Sequence, residues 1–297
     1  MRAMGNRIYK ITNAADLVSF DGSFRIAKAP TRPPPGAPDT AGCERELAAL
    51  TAKIDALQHI LYAHDHRSLL LIFQGMDAAG KDSTVRAVLS GVDPAGCEVY
   101  SFKEPSPIEL EHDFLWRANR WLPERGRIGV FNRSYYEDVL VVRVHPELLN
   151  ARREPLPKNL QKLWRERYES IRDFEKHLAR NGVVIVKFFL HVSRGEQKRR
   201  FLARLENPRK NWKFNEGDVR EREHWPAYQQ AYQEALRETS RPYAPWYALP
   251  ADDKPYLRMR VAQIVLATLK GLKLEYPHLG PAERHRFDEM RSYLEKG

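Results

Sequence analysis

Two hydrophobic periods alternate along the chain. From Glu44 to Ala63, Leu47, Leu50, Ile54, Leu57 and Leu61 recur at three- and four-residue steps, which predicts an amphipathic helix. The pattern then shifts to Ser68–Gln74 (SLLLIFQ), a short and nearly continuous apolar run, as expected of a strand buried on both faces. Cys97–Phe102, Arg127–Phe131 and Gly182–Val192 also read as strands, with Trp246–Pro250 as a candidate fifth. Between them, helical spacing is found over Lys81–Leu89, Ile108–Trp121, Leu160–Leu178, Gln197–Leu205, Arg220–Leu236 and Tyr256–Leu269. Strands alternating with helices predict an α/β fold: a mainly parallel sheet covered on both sides, an α/β/α sandwich of three layers. Ahead of it, residues 1–42 read as an arm, because Ala29–Asp39 (APTRPPPGAPD) is too rich in proline to continue a helix or central strand. The domain is expected to run over 43–297, with a helical excursion near 194–240.

Composition adds two constraints. The 297 residues carry 49 Lys and Arg against 39 Asp and Glu, a formal charge of +10. Such a surplus suits a polyanionic partner as well as a plain solvated surface. The two cysteines, Cys43 and Cys97, allow no disulfide framework and no Cys-based zinc site, and they suit a reducing, cytoplasmic setting. Nor does an apolar run follow the basic first residues, so neither a signal peptide nor a membrane span is expected.

The strongest chemical signal is Gly75-Met76-Asp77-Ala78-Ala79-Gly80-Lys81-Asp82-Ser83-Thr84, after a predicted strand and before a predicted helix. Gly75, Gly80 and Lys81 fit the G-x-x-x-x-G-K spacing of a phosphate-binding loop (Walker A), in which backbone N–H groups converge on an anion at a helix N-terminus. Ala78 and Ala79 are small enough for the backbone to approach phosphate closely, and Lys81 supplies a mobile point charge. The loop departs from the usual pattern at the position after the lysine, where Asp82 replaces the hydroxyl that ordinarily holds Mg²⁺. Asp77 is a second carboxylate inside the loop. Carboxylates repel phosphate unless a cation lies between, so a Mg²⁺ ion held near Asp77 is expected, with Mn²⁺ as an alternative ion. Asp82 either assists or complements the helix dipole.

Two other segments belong with this loop. Asn132-Arg133-Ser134-Tyr135-Tyr136-Glu137-Asp138 follows the third strand, at the carboxyl end of the sheet where α/β folds gather ligands. Arg133 could clamp a phosphoryl oxygen, and Glu137 or Asp138 could position a metal or a substrate group; an ion pair closing the turn is the plainer alternative. The stretch from Arg194 to Lys213 holds eight Lys or Arg and two Glu. Here Arg200, Arg204, Arg209 and Lys210 suit a basic lid over reacting phosphates.

Together these segments resemble the polyphosphate kinase 2 family. The resemblance is carried by GMDAAGKDST (75–84), SFKEPSPIELEHDFLWR (101–117), FNRSYYEDVLVVRVH (131–145), KRRFLARLENPRKNWKF (198–214) and YAPWYALPADDK (243–254), and covers roughly residues 43–270. It implies a thymidylate-kinase-like fold with a helical lid and Mg²⁺-dependent phosphoryl transfer between inorganic polyphosphate and AMP, ADP or ATP. It also implies a homo-oligomer, a tetramer or dimer. Residue by residue, it implies catalytic roles for Asp77, Lys81, Asp82, Arg133 and the lid residue Arg204. Phosphate would lie against Ala78, Ala79, Gly80, Ser83, Arg200, Arg209 and Lys210, with Lys103 and Arg117 along the polyphosphate path. The nucleotide would meet Asn132, Glu137 and Asp138, and the metal Asp77 and Asp138. Members restricted to nucleoside diphosphates typically read NRSWYNR where this chain reads NRSYYED, so Glu137-Asp138 resembles the branch that phosphorylates both AMP and ADP. Two other readings remain: an ATP-dependent nucleoside monophosphate kinase, and a basic P-loop protein that docks nucleic acid, for which no recognition motif is present.

Overall fold

The computed structural model describes residues 9, 16–152, 157–278 and 280–296. Five strands form one parallel sheet: β1 (Ser68–Gln74), β2 (Cys97–Ser101), β3 (Ile128–Asn132), β4 (Val183–His191) and β5 (Trp246–Pro250), in the order β2-β3-β1-β4-β5. β1 and β4 lie centrally and read as continuous apolar runs because both faces are covered. β2 is an edge strand, and its mix of exposed and half-buried residues follows from that position.

Among the described residues there are seven helices of eight residues or more: α1 (Thr40–His64), α2 (Lys81–Val88), α3 (Leu160–Arg180), α4 (Arg194–Glu206), α5 (Trp225–Thr239), α6 (Lys254–Gly271) and α7 (Pro281–Leu294). α6 packs against α1 and α2, while α3 packs against α5. Helical layers therefore cover both faces of the sheet. α1 starts where the Asp39 carboxylate accepts from Gly42 N–H, and it stops at Asp65 in the left-handed region.

The expected arm packs on the same chain over its described part. Asp16 and Val18 bond antiparallel to β5, through Ala248 N–H to the Asp16 carbonyl and Val18 N–H to the Trp246 carbonyl, each at 2.9 Å. Val18 and Ile26 are buried. This segment covers the β5 edge, which would otherwise offer unpaired backbone groups. Residues 1–8 and 10–15 of the expected arm lie outside the described residues.

Two expected helices differ. The helix expected over Ile108–Trp121 is two single turns, Pro107–Leu110 and Trp116–Asn119. The Asp113 carboxylate accepts from Leu115 N–H and so competes with helix continuation. The helix expected from Arg220 begins instead at Trp225. Pro226, which has no N–H, is tolerated only in a first helical turn. The apolar pattern marks no element after Leu269. The structure adds α7, whose side chains from 283 to 294 are exposed.

Candidate active site

β1 delivers the chain into the phosphate loop at the carboxyl end of the sheet. A Cβ on Gly75 would lie 2.8 Å from the Leu190 carbonyl, so only glycine lets the loop leave the sheet this close to β4. Gly80 has φ +108, and α2 begins at the next residue. The outward carbonyls of the loop are tied to α4. Gln197 Nε2 donates to the Asp77 carbonyl at 2.9 Å, and Arg200 Nη1 donates to those of Ala78 (2.9 Å) and Ala79 (2.8 Å). The other arm of Arg200 donates to the Ala251 and Asp252 carbonyls, and Glu196 accepts from its Nε. With these carbonyls held on one side, the loop's first helical N–H groups stay oriented as an anion cradle.

Lys81 folds back over this loop and donates to the Gly75 carbonyl at 2.6 Å and the Met76 carbonyl at 3.3 Å. Burial, and next the charge of Arg133, push its pKa down. Ser83 donates its hydroxyl to the Gly80 carbonyl at 3.0 Å. The exposed Asp82 accepts from Asn132 Nδ2 at 2.6 Å, which links the loop to the end of β3. Burial works against its ionisation, but Asn132 and Lys81 outweigh it and hold its pKa down.

Arg133 follows β3 directly and has φ +62, an unusual backbone state for a residue with a Cβ. Its N–H donates to the Phe73 carbonyl at 3.0 Å. One guanidinium nitrogen lies 3.0 Å from Asp77 Oδ1 and the other 3.5 Å from Glu137 Oε2. The charge of Glu137 raises the Arg133 pKa further. Burial raises that of Glu137, more than Arg133 and Lys81 lower it. Asp77, Lys81, Arg133 and Glu137 thus form one coupled cluster beside the cradle.

The basic segment contributes unevenly. Arg204 lies 3.3 Å from Asp218 and 3.3 Å from the Lys213 carbonyl, while Arg209 and Lys210 are exposed. Asp218 faces the cluster, and its pKa is raised by burial and then by Asp77. Two expected residues, Asp138 and Arg117, bond to groups outside the cluster. Asp138 is buried against Arg152 (2.6 Å) and Arg167 (3.7 Å), so its carboxylate is engaged behind the turn and not at the cradle. Arg117 is buried, donates to the Lys103 carbonyl at 2.7 Å and sits 5.0 Å over the Phe102 ring, a packing arrangement. The side chain of Lys103 is exposed.

Several neighbours were not singled out from the sequence. Gln197 precedes Arg200 and Arg204 by three and seven residues, one helical face, which is a legible signal. Tyr228 and Tyr232 share a face of α5 in the same way, and burial followed by the Glu137 charge lifts the Tyr232 phenol well above its ordinary range. Asp218 carries no such pattern. On the α4 flank, Lys254 and Arg258 lie near Arg200, with Lys210 near Lys254 and Arg86 near Arg258. Burial, then the charges of Arg200, Arg258 and Lys210, bring Lys254 down to about 8.

Residues 38–277 match the family model described as Polyphosphate kinase 2 (PPK2). A protein of Rhodopseudomonas palustris named ADP-polyphosphate phosphotransferase is 51% identical over 272 residues, covering 91% of this chain and 94% of the relative. One of Meiothermus ruber named AMP/ADP-polyphosphate phosphotransferase is 47% identical over 233 residues, covering 78% and 82%. The crystal structure of polyphosphate kinase 2 from Arthrobacter aurescens superposes with a TM-score of 0.81 at 37% identity, covering 95% of each chain. The family match spans the phosphate loop, the Arg133 turn and the basic helix alike. The chain belongs to the polyphosphate kinase 2 family.

Proposed function

We propose that the protein transfers the terminal phosphate of inorganic polyphosphate directly to AMP and to ADP, reversibly, with a divalent cation. The observation that carries this reading is the placement of Arg133, held in a left-handed backbone state between Asp77 and Glu137 and coupled to Lys81. A guanidinium fixed there offers planar donors to a phosphoryl group in the cradle. Family membership favours polyphosphate as donor over the ATP-dependent nucleoside monophosphate kinase reading, and the basic surplus fits a polyanionic chain.

The donor set fits a metal of the Mg²⁺ type. Mg²⁺ takes oxygen ligands and is commonly held by one or two carboxylates completed by substrate phosphates. Asp77 and Asp82 are such carboxylates at the two ends of the cradle. Among the described residues no group of three or more His, Cys, Asp or Glu side chains is gathered as a metal cage, which also suits an ion shared with substrate. We assign the metal side to Asp77, with Asp82 beside it, and leave Asp138 as a support of the turn. When bound, the ion would offset charge on the phosphoryl oxygens.

The remaining chemistry falls to the protein. Backbone N–H groups at the start of α2 and the Lys81 ammonium bind the terminal phosphate. Arg133 orients it and stabilises charge on its equatorial oxygens. Arg204 reaches the phosphates once it leaves Asp218. The cations Lys254, Arg258 and Lys210 offer a basic flank for the rest of the polyphosphate chain, in addition to the path along Lys103 and Arg117. Oligomer formation is part of the same family-based proposal.

The named relatives divide over AMP, which turns attention to Glu137. Its carboxyl faces the cluster while Asp138 is pinned behind it, so Glu137 is the nucleotide-side group. Glu137→Asn, the residue found in the diphosphate-restricted pattern, should lower the rate with AMP about tenfold or more while largely sparing ADP, the size expected when one polar contact to a substrate is lost. Equal losses with both acceptors, read by ³¹P NMR, would contradict this role.

A further inference from the structure

Behind the Arg133 turn lies a buried polar cluster that reaches no substrate. Lys187 on β4 and Glu175 on α3 have no solvent exposure, and their Nζ–Oε2 distance is 2.6 Å. Lys187 also donates to the Tyr136 hydroxyl at 2.8 Å and the Thr239 carbonyl at 2.9 Å, so its three protons are placed. The second oxygen of Glu175 accepts from the hydroxyls of Tyr135 (2.9 Å) and Tyr136 (2.8 Å). Replacing a buried ion pair with apolar groups of similar volume is often neutral or stabilising, so stability alone is a weak reason for this one. What the cluster fixes is the location of two adjacent rings.

Those rings open the turn Tyr135–Val139, two residues after Arg133. On the other side of Arg133, its own N–H is bonded to the Phe73 carbonyl at the end of β1. Ser134 between them accepts from Gln74 Nε2 at 3.1 Å and from Tyr136 N–H at 3.2 Å. Arg133 is thus suspended between a backbone anchor upstream and a side-chain anchor downstream. A left-handed state at a residue with a Cβ persists only where the surroundings over-determine it. If the rings were free to shift, the turn would relax and the guanidinium would leave Asp77.

We propose that Lys187 and Glu175 are positioning residues for phosphoryl transfer. By holding the hydroxyls of Tyr135 and Tyr136, they fix the turn that aims Arg133 at the reacting phosphate. This rests on the role of Arg133 given above.

The test is a double-mutant cycle with AMP and polyphosphate, run well below the melting temperature of every variant. Y135F/Y136F keeps both rings and removes both hydroxyls. It should lower kcat about ten- to a hundredfold, the scale of a small misplacement, while KM for polyphosphate moves less than about twofold. In an R133K background, where the fork is already lost, the same pair should cost less than about twofold, because coupled residues are non-additive. Native kcat in Y135F/Y136F would overturn the inference, and so would an equal loss in both backgrounds. R133K turning over at the native rate would refute the role of Arg133, a failure visible in that single variant and separate from failure of the cluster. Glu175→Gln, which keeps the volume and removes the charge that orients both hydroxyls, gives the same comparison should the double phenylalanine variant fail to fold.

Discussion

Glu137, the proposed nucleotide-side carboxylate, works against the fold that carries it. Burial raises its pKa against the pull of Arg133 and Lys81. A carboxyl with a folded pKa above its unfolded one binds its proton more tightly in the native state. Its favourable contribution is therefore present below the unfolded pKa and is lost as pH rises through the folded value. Above that window the ionised group costs stability. Glu137→Gln should accordingly raise Tm at neutral and alkaline pH, by about 2 °C for a gain on the order of 1 kcal/mol in a chain of this size. The gain should shrink toward acid pH as the native carboxyl takes its proton. A lower Tm for the variant across the whole range, measured by calorimetry, would contradict the account. The aim of Arg133 belongs to the same scale. Its presence in the motif is legible in the sequence, but its left-handed backbone is not, because the groups bonded to its turn, the Phe73 carbonyl and Gln74 on β1 and Glu175 on α3, come from elements distant in the chain.

At the level of elements, β1, β3, β4 and β5 are legible because burial leaves continuous apolar runs, whereas the half-exposed edge strand β2 (CEVYS) is legible only from its short β-prone run between turns. The phosphate loop was legible for a similar reason, since glycines at its two ends answer local backbone demands. Side-chain capping was not legible from periodicity. Asp113 breaks one expected helix, and Pro226 sets the start of another. Nor does the motif around Asp138 disclose that Arg152 and Arg167 lie behind it, since these come from separate segments. The segment between α4 and α5 is tied down by His145. Its Nε2 lies 3.0 Å from Glu221, which also accepts from the Tyr228 hydroxyl, and its Nδ1 lies 3.2 Å from Glu147. His224 packs edge-on against the same ring, with centroids 4.8 Å apart. Burial lowers the His145 pKa, but Glu221 and then Glu147 outweigh it, so the net shift is upward. A histidine raised in this way contributes stability below its unfolded pKa and loses it as pH rises through the folded one. Amides of 216–224 should therefore exchange faster at about pH 8 than at about pH 6 once intrinsic rates are removed, and His145→Gln should flatten that difference. Equal protection of the native segment at both pH values would contradict the link.

Across the whole molecule, one parallel sheet sets the proposed functional groups at its carboxyl edge, the place where open α/β sheets bind ligands. Helices α4 and α5 bring the basic segment over that edge, and the formal charge of +10 suits a chain of phosphates more than a single nucleotide. No helix among the described residues is long and apolar enough to cross a membrane. The central claim is that polyphosphate itself is the phosphoryl donor at this edge. The most direct measurement is a ³¹P NMR time course with the full chain, AMP, long-chain polyphosphate and Mg²⁺, and no ATP. ADP should appear first and ATP after it while terminal polyphosphate is consumed, with all three changes lost in Lys81→Ala. A silent spectrum with AMP and with ADP, in a preparation that does turn over AMP when ATP is supplied as donor, would contradict that claim.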